Sequence, residues 1–203
     1  RRAMTVAAAT VFVGVLVQAV LGGITVLLGL HPATVAAHFL VSMGLVAAAS
    51  YLWFARHETG AAPVPLVPPI VTRLAWATTA VGGVVLFLGT LVTGSGPHSG
   101  DADEPARLGF DPRTISWLHA DVVLLFFGLT IGLLVALSVV QAPQRARRRT
   151  WLLLIIAISQ GALGYVQYFT GLPALLVTIH VLGAGLVWVA VLFVPSTLRQ
   201  RGP

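Results

Sequence analysis

Residues 18–40 read QAVLGGITVLLGLHPATVAAHFL, and residues 160–182 read QGALGYVQYFTGLPALLVTIHVL. The two align without a gap at an offset of 142: Gln18 with Gln160, Leu21-Gly22 with Leu163-Gly164, Gly29-Leu30 with Gly171-Leu172, His38 with His180, Leu40 with Leu182. Each stretch predicts an apolar helix, a tight turn marked by glycine and proline, and a second helix with one imidazole in its early turns. An ionisable side chain inside such a helix is expensive and is a functional candidate by default. Its return in the same slot of a repeated unit argues against accident.

The sequence around these hairpins places them in a membrane. Residues 3–55 and 150–198 contain no Asp, Glu, Lys or Arg, so each run is long enough for two uncharged spans. Hydrophobic residues make up 57% of the chain and charged residues 9%, and the mean hydropathy is +0.94, which leaves no polar faces for a soluble core. Six spans are expected, at about 4–28, 33–54, 70–93, 115–139, 150–170 and 174–196. The fold class is therefore an all-α integral membrane protein with six transmembrane helices. Because the first hairpin repeats in the last one, residues 1–58 are expected to be the second hairpin of an N-terminal four-helix half. Residues 59–69 form a loosely ordered cytoplasmic linker, and 70–203 a complete C-terminal four-helix half. A further hairpin would then precede residue 1, in an eight-helix parent of two repeated bundles.

The net charge of +6 comes entirely from arginine. Arg1, Arg2, Arg56, Arg73, Arg145, Arg147, Arg148, Arg149, Arg199 and Arg201 fall on one side if every helix crosses, and only Arg107 and Arg113 on the other. This asymmetry puts both termini in the cytoplasm and makes topology, not nucleic acid, the reason for the basic balance. Trp53, Trp76 and Trp151 near inner helix ends and Trp117 near an outer one fit aromatic belts. The absence of cysteine excludes disulfides and thiolate sites within the chain.

Depth sorts the histidines. His38 follows Pro32 by six residues, His180 follows Pro173 by seven, and His119 stands about four into the fourth span. At a rise of 1.5 Å per residue all three lie roughly 6–11 Å inside the outer boundary. Imidazoles at one depth on separate helices suit a haem or metal near the outer face; each taken singly equally suits a hydrogen bond to a neighbouring helix. His31 and His57 read as boundary or solvated residues. No span holds a Glu and no His-Glu-x-x-His occurs, so zinc and carboxylate-bridged metal sites lack their ligands.

The segment GTLVTGSGPHSGD (89–101) ends the third span with glycines and a proline that turn the backbone sharply. Its Ser95 and His98, with Arg107 beyond, supply polar groups for anionic substituents of a ligand; a plain glycine-rich turn is the alternative. Tyr165 and Tyr168 read either as interfacial belt or as the lining of a flat ligand.

The strings LGTLVTGSGPHSGD (88–101), Leu118-His119, LGYVQYFTGLP (163–173) and Ile179-His180 together resemble the haem A synthase family, and LGGITVL (21–27) with HPATVAAHF (31–39) is similar to its N-terminal half. The resemblance covers about 4–196. It implies eight spans in two halves and oxidation of the C8 methyl of haem O to a formyl group by successive hydroxylations, giving haem A for cytochrome oxidase. It implies that His119 and His180 hold a haem b cofactor and that His38 is one ligand of the substrate haem; Ser95, His98, Arg107 and Tyr165, read from their own positions, are the further cofactor-binding candidates. An electron donor and a haem O synthase would be partners in the plasma membrane, with the haem sites extracytoplasmic and homo-oligomers conceivable. The family's first hairpin and its carboxylate have no counterpart here, so the given chain is expected to bind haem b without catalysing, and the eight-helix parent to be the enzyme. The loop at 94–113 has no cysteine, which excludes a thiol relay through it. A bis-histidine b-type cytochrome that only carries electrons is the alternative, though it leaves His38 without a use. A repeat-built transporter with a histidine proton relay is a third, and it calls for broken helices at the midplane.

Overall fold

A computed structural model of the chain describes residues 2–56, 62–101 and 106–201. Among these, six helices are long and apolar enough to cross a membrane: α1 (Arg2–Leu27), α2 (Pro32–Ala55), α3 (Pro69–Ser95), α4 (Pro112–Val139), α5 (Gln144–Phe169) and α6 (Ala174–Ser196). The chain is a multi-pass all-helical membrane protein, and two short strands, β1 (Val64–Pro65) and β2 (Arg199–Gln200), complete it. It forms two compact units, Arg1–Leu52 with Val84–Val122, and Trp53–Gly83 with Val123–Pro203.

In the first unit the α1–α2 turn is built from two successive left-handed residues, Gly29 at φ 61° and Leu30 at φ 54°. The amide of Leu30 donates to the Thr25 carbonyl at 2.9 Å, closing the end of α1. Pro32 then starts α2 with its φ already set. His31 takes a structural part here, its Nδ1 accepting from the Ala33 amide at 3.3 Å. The α3–α4 loop folds back on itself, with Leu108 N donating to Gly94 O at 2.8 Å and Ser99 Oγ to Ala106 O. Gly94 has Leu108 and Pro32 where a side chain would stand, and Gly100 lies directly against the Leu30 carbonyl. Absence of Cβ at these glycines lets the loop seat on the α1–α2 turn. Asp111 caps α4: one carboxylate oxygen accepts from the Thr114 hydroxyl at 2.7 Å and from its amide at 2.8 Å.

The α5–α6 turn has the same construction 142 residues later. Gly171 (φ 80°) and Leu172 (φ 58°) are both left-handed, and Leu172 N donates to Gln167 O at 2.7 Å. A leucine in this conformation is strained, and both turns accept it. The core of the second unit is Leu133, Leu137, Leu153, Val191 and Val194 with Thr78, Thr130 and Thr150. The three threonine hydroxyls are buried without penalty because each donates to the carbonyl four residues earlier in its own helix.

Two expectations need correction in this unit. Helix α5 begins at Gln144, six residues before the expected start, so its arginine run is helical. Pro143 supplies the entry, and QRARRR contains good helix formers whose long stems reach back to water from the helix end. The linker is tied down rather than loose where it is described. Val64 pairs with Gln200 and Pro65 with Arg199 in antiparallel register, Leu66 N donates to Leu198 O at 2.9 Å, and Arg145 donates to the Arg199 carbonyl at 3.0 Å. Most of α1, by contrast, is exposed, with Phe12 at 69% and Val20 at 65%, as lipid-facing apolar side chains are, while most of α2 is half-buried.

Two outcomes follow from the first unit. Gly100→Ala drives a methyl into the Leu30 carbonyl and should cost about 1–3 kcal/mol, lowering the thermal midpoint in detergent. Gly109→Ala, with open space around it, should not. The Asp111 carboxyl is held below the ordinary carboxylate range by the Thr114 hydroxyl, then the Thr114 amide, with Arg113 adding to them. Its capping is therefore full above about pH 4 and is lost as pH falls through the lowered value. Exchange protection of the Thr114 amide should hold from neutral pH down to that point and then fall, and Asp111→Asn should remove the acid dependence.

Candidate functional site

Three histidines share one setting. His38 stands six residues beyond the first residue of α2, His119 seven beyond that of α4, and His180 six beyond that of α6. The earlier start of α4, at Pro112 instead of about 115, brings His119 to nearly the same depth in its helix as the others, about 9–10 Å from the helix start at 1.5 Å per residue. Each ring lies against a glycine of the preceding helix. A methyl group placed on Gly22 would come within 3.4 Å of His38 Cε1, on Gly89 within 3.5 Å of His119 Cε1, and on Gly164 within 3.4 Å of His180 Cε1. For His38 and His119 the next ring atom along is Nδ1, at 3.8 and 3.9 Å. In these two the Nδ1–Cε1 edge thus faces the glycine.

The seat sets what the imidazole can do. Nδ1 of His38 and of His180 is buried with no hydrogen-bond partner, although both residues are only half-buried overall. Whichever tautomer each ring takes, a buried orphaned nitrogen costs about 1–3 kcal/mol relative to a paired one. Such groups in a native fold call for a reason beyond packing.

Glutamines brace two of these hairpins. Gln18 donates through Nε2 to the His38 carbonyl at 2.8 Å and to Ser42 Oγ, while Ser42 Oγ donates to the same carbonyl at 2.9 Å. Gln160, 142 residues later, packs its amide where Gly183 lacks a side chain, three residues past His180. In both, the amide oxygen is buried without a partner.

His38 and His119 belong to the first unit and His180 to the second. Among the described residues, no three His, Cys, Asp or Glu side chains cluster as a metal cage. The remaining expected site residues are placed as follows. Ser95 is 1% exposed, its Oγ buried without a partner, so it is enclosed by the loop and does not lie open at its surface. His98 and Arg107 are exposed. Tyr165 is 57% exposed and stacks on Phe169 at 6.3 Å, and Tyr168 meets the same ring edge-on at 5.4 Å. Arg113 lies over Trp117 at 5.0 Å. His57 falls outside the described residues.

Gly22, Gly89 and Gly164 are the site residues that a reading of the sequence for chemistry passes over. Their signal is a shared dipeptide, Leu21-Gly22, Leu88-Gly89 and Leu163-Gly164, each five or six residues before the end of its helix. Compared with family models, with curated proteins and with solved structures, the chain matches none.

Alanine at position 164 would make ordinary van der Waals contact with His180, whereas a branched side chain would not fit. Gly164→Ala should leave the His180 ring resonances in place. Gly164→Val should move them, leave those of His38 unchanged and destabilise the protein by about 1–3 kcal/mol. Nitrogen NMR of protein labelled at histidine reads all three rings at once.

Proposed function

We propose that the chain belongs to a haem-handling oxidoreductase of the haem A synthase type, which converts the C8 methyl of haem O to a formyl group through successive hydroxylations. The observation that carries this reading is the thrice-repeated imidazole seated on glycine, at matched depth in its helix. An imidazole is a common axial ligand of haem iron. A glycine-backed ring is restrained in rotation, which suits a ligand that must hold one orientation. The scarcity of carboxylates in the spans fits haem better than zinc or di-iron.

In this reading His119 and His180 would hold haem b through Nε2, within a bundle that belongs to a repeated eight-helix design. When bound, haem b supplies one-electron transfer. His38 would hold the iron of substrate haem O, fixing the macrocycle so that one methyl stays in reach of the oxidant. Gln18 fixes the carbonyl of His38 and so the helix turn that carries the ligand. Arg107 and His98, exposed at the end of the α3–α4 connection, are groups of the right charge for propionates. The arginine asymmetry puts both ends of the chain in the cytoplasm and the histidines toward the outer face of the plasma membrane. An electron donor and the enzyme that makes haem O are the partners this chemistry requires. A bis-histidine cytochrome would need two imidazoles; the third, His38, in the same setting favours the synthase.

Reduced-minus-oxidised spectra of the purified protein test this. A low-spin b-type signal should be present, lost almost wholly in His119→Ala and in His180→Ala, and kept in His38→Ala, which should instead lose binding of added haem O. Folded protein without the signal, or a signal that survives both ligand changes, would overturn it.

A further inference from the structure

The second unit carries eight arginines among its described residues, Arg56, Arg73, Arg145, Arg147, Arg148, Arg149, Arg199 and Arg201, and no side-chain carboxylate. All belong to one end of its helices: the end of α2, the starts of α3 and α5, and the segment after α6 that pairs with the linker. Four of them crowd the first turns of α5, where no acidic side chain offsets them. Like charges so close repel one another and the positive end of the helix alike, so an anion bound there would relieve them.

A groove of about 160 Å³ between α5 and α6 begins at this end. Arg149 stands at its mouth, with its guanidinium 5.2 Å above the Phe193 ring. Leu152 and Ile156 continue along one wall, and Ala190 and Leu186 along the other. From Arg149 to Ile156 the groove runs about 10 Å along the helix. A planar cation at the mouth of an apolar trench on a membrane-facing surface matches one molecular class, a phosphate ester with an alkyl chain.

From this we infer that the α5–α6 groove is a binding site for one anionic phospholipid, its headgroup phosphate on Arg149 and its acyl chain between the helices. The guanidinium fork pairs with phosphate oxygens bidentately, and stacking on Phe193 pre-orients it. Basic residues at the membrane boundary favour anionic lipid in the same sense. The other hairpin provides a comparison. Its trench has Ala7, Thr10, Ala48 and Tyr51 in the register of Arg149, Leu152, Ala190 and Phe193. With small residues in its walls it widens to about 670 Å³. Ala7 stands at the position of Arg149, and this trench's own arginine, Arg2, lies five positions earlier on α1, so of the two grooves the α5–α6 one combines narrow walls with a guanidinium at that position.

Native mass spectrometry of protein equilibrated with equal dioleoyl phosphatidylglycerol and dioleoyl phosphatidylcholine tests the site. Wild type should retain the anionic lipid preferentially. Arg149→Gln should lower that preference about fivefold, whereas Arg147→Gln, on another face of α5, should change it by less than about twofold. Ala190→Leu fills the groove without altering charge and should reduce retention of phosphatidylglycerol while circular dichroism shows the helices intact. Equal retention of the two lipids by wild type, or equal losses in the two arginine variants, would reduce the feature to diffuse surface charge and overturn the site. So would retention unaffected by Ala190→Leu, or displacement of the lipid by inorganic phosphate alone.

Discussion

Hydrocarbon offers no hydrogen-bond partners, so each polar group in a membrane span must be satisfied by the chain or kept for a purpose. This constraint accounts for most of the structure. Buried threonines return their hydroxyls to their own helices. The helix ends at Leu27 and Phe169 are closed by left-handed turns that recapture carbonyls, even at the cost of a strained leucine. Gln18 spends its amide hydrogens on the backbone and hydroxyl of α2. Against this background the buried Nδ1 atoms of His38 and His180 belong to a small set of described polar atoms without a partner, together with Ser95 Oγ and the amide oxygens of Gln18, Gln160 and Gln167.

The spans and hairpin turns are legible because they rest on local signals: long uncharged runs, and a Gly-Leu pair with proline directly after it or one residue later. The start of α5 was misjudged for a physical reason. Charge was read as a boundary, but arginine is a good helix former, and its stem allows the helix to continue while the guanidinium stays in water. The β1–β2 ladder has no local signal at all. Val64-Pro65 and Arg199-Gln200 are ordinary loop residues whose pairing depends on chain ends brought together by folding.

The candidate site divides in the same way. The histidines were legible because an imidazole in an apolar helix is rare, and their depth followed from counting residues. The glycines behind them were not, since a glycine in a membrane helix serves many ends and only the packing singles out 22, 89 and 164. Ser95 shows the opposite failure. Its place at the end of α3 makes it look available, yet it is 1% exposed, next to Gly94, whose carbonyl accepts from Leu108 N. Polarity of a residue is written in the sequence, but its accessibility depends on residues a dozen positions away.

The two ends of the helices are specialised by opposite means. At one end, rigidity comes from glycine: Gly94 and Gly100 let the loop seat on the α1–α2 turn, and Gly22, Gly89 and Gly164 let rings lie on helix backbone. Close backbone approach gives little freedom to adjust, which is what an axial ligand of fixed orientation requires. At the other end the contacts are long, cationic and adaptable, with Arg145 on a carbonyl, Arg56 over Trp53 and Arg149 over Phe193. Guanidiniums on flexible stems tolerate a fluid neighbour such as a lipid headgroup but cannot hold a macrocycle to a fraction of an ångström. Glycine therefore makes close, rigid backbone contacts and arginine long, adaptable ones, and the second unit's described residues include no side-chain carboxylate.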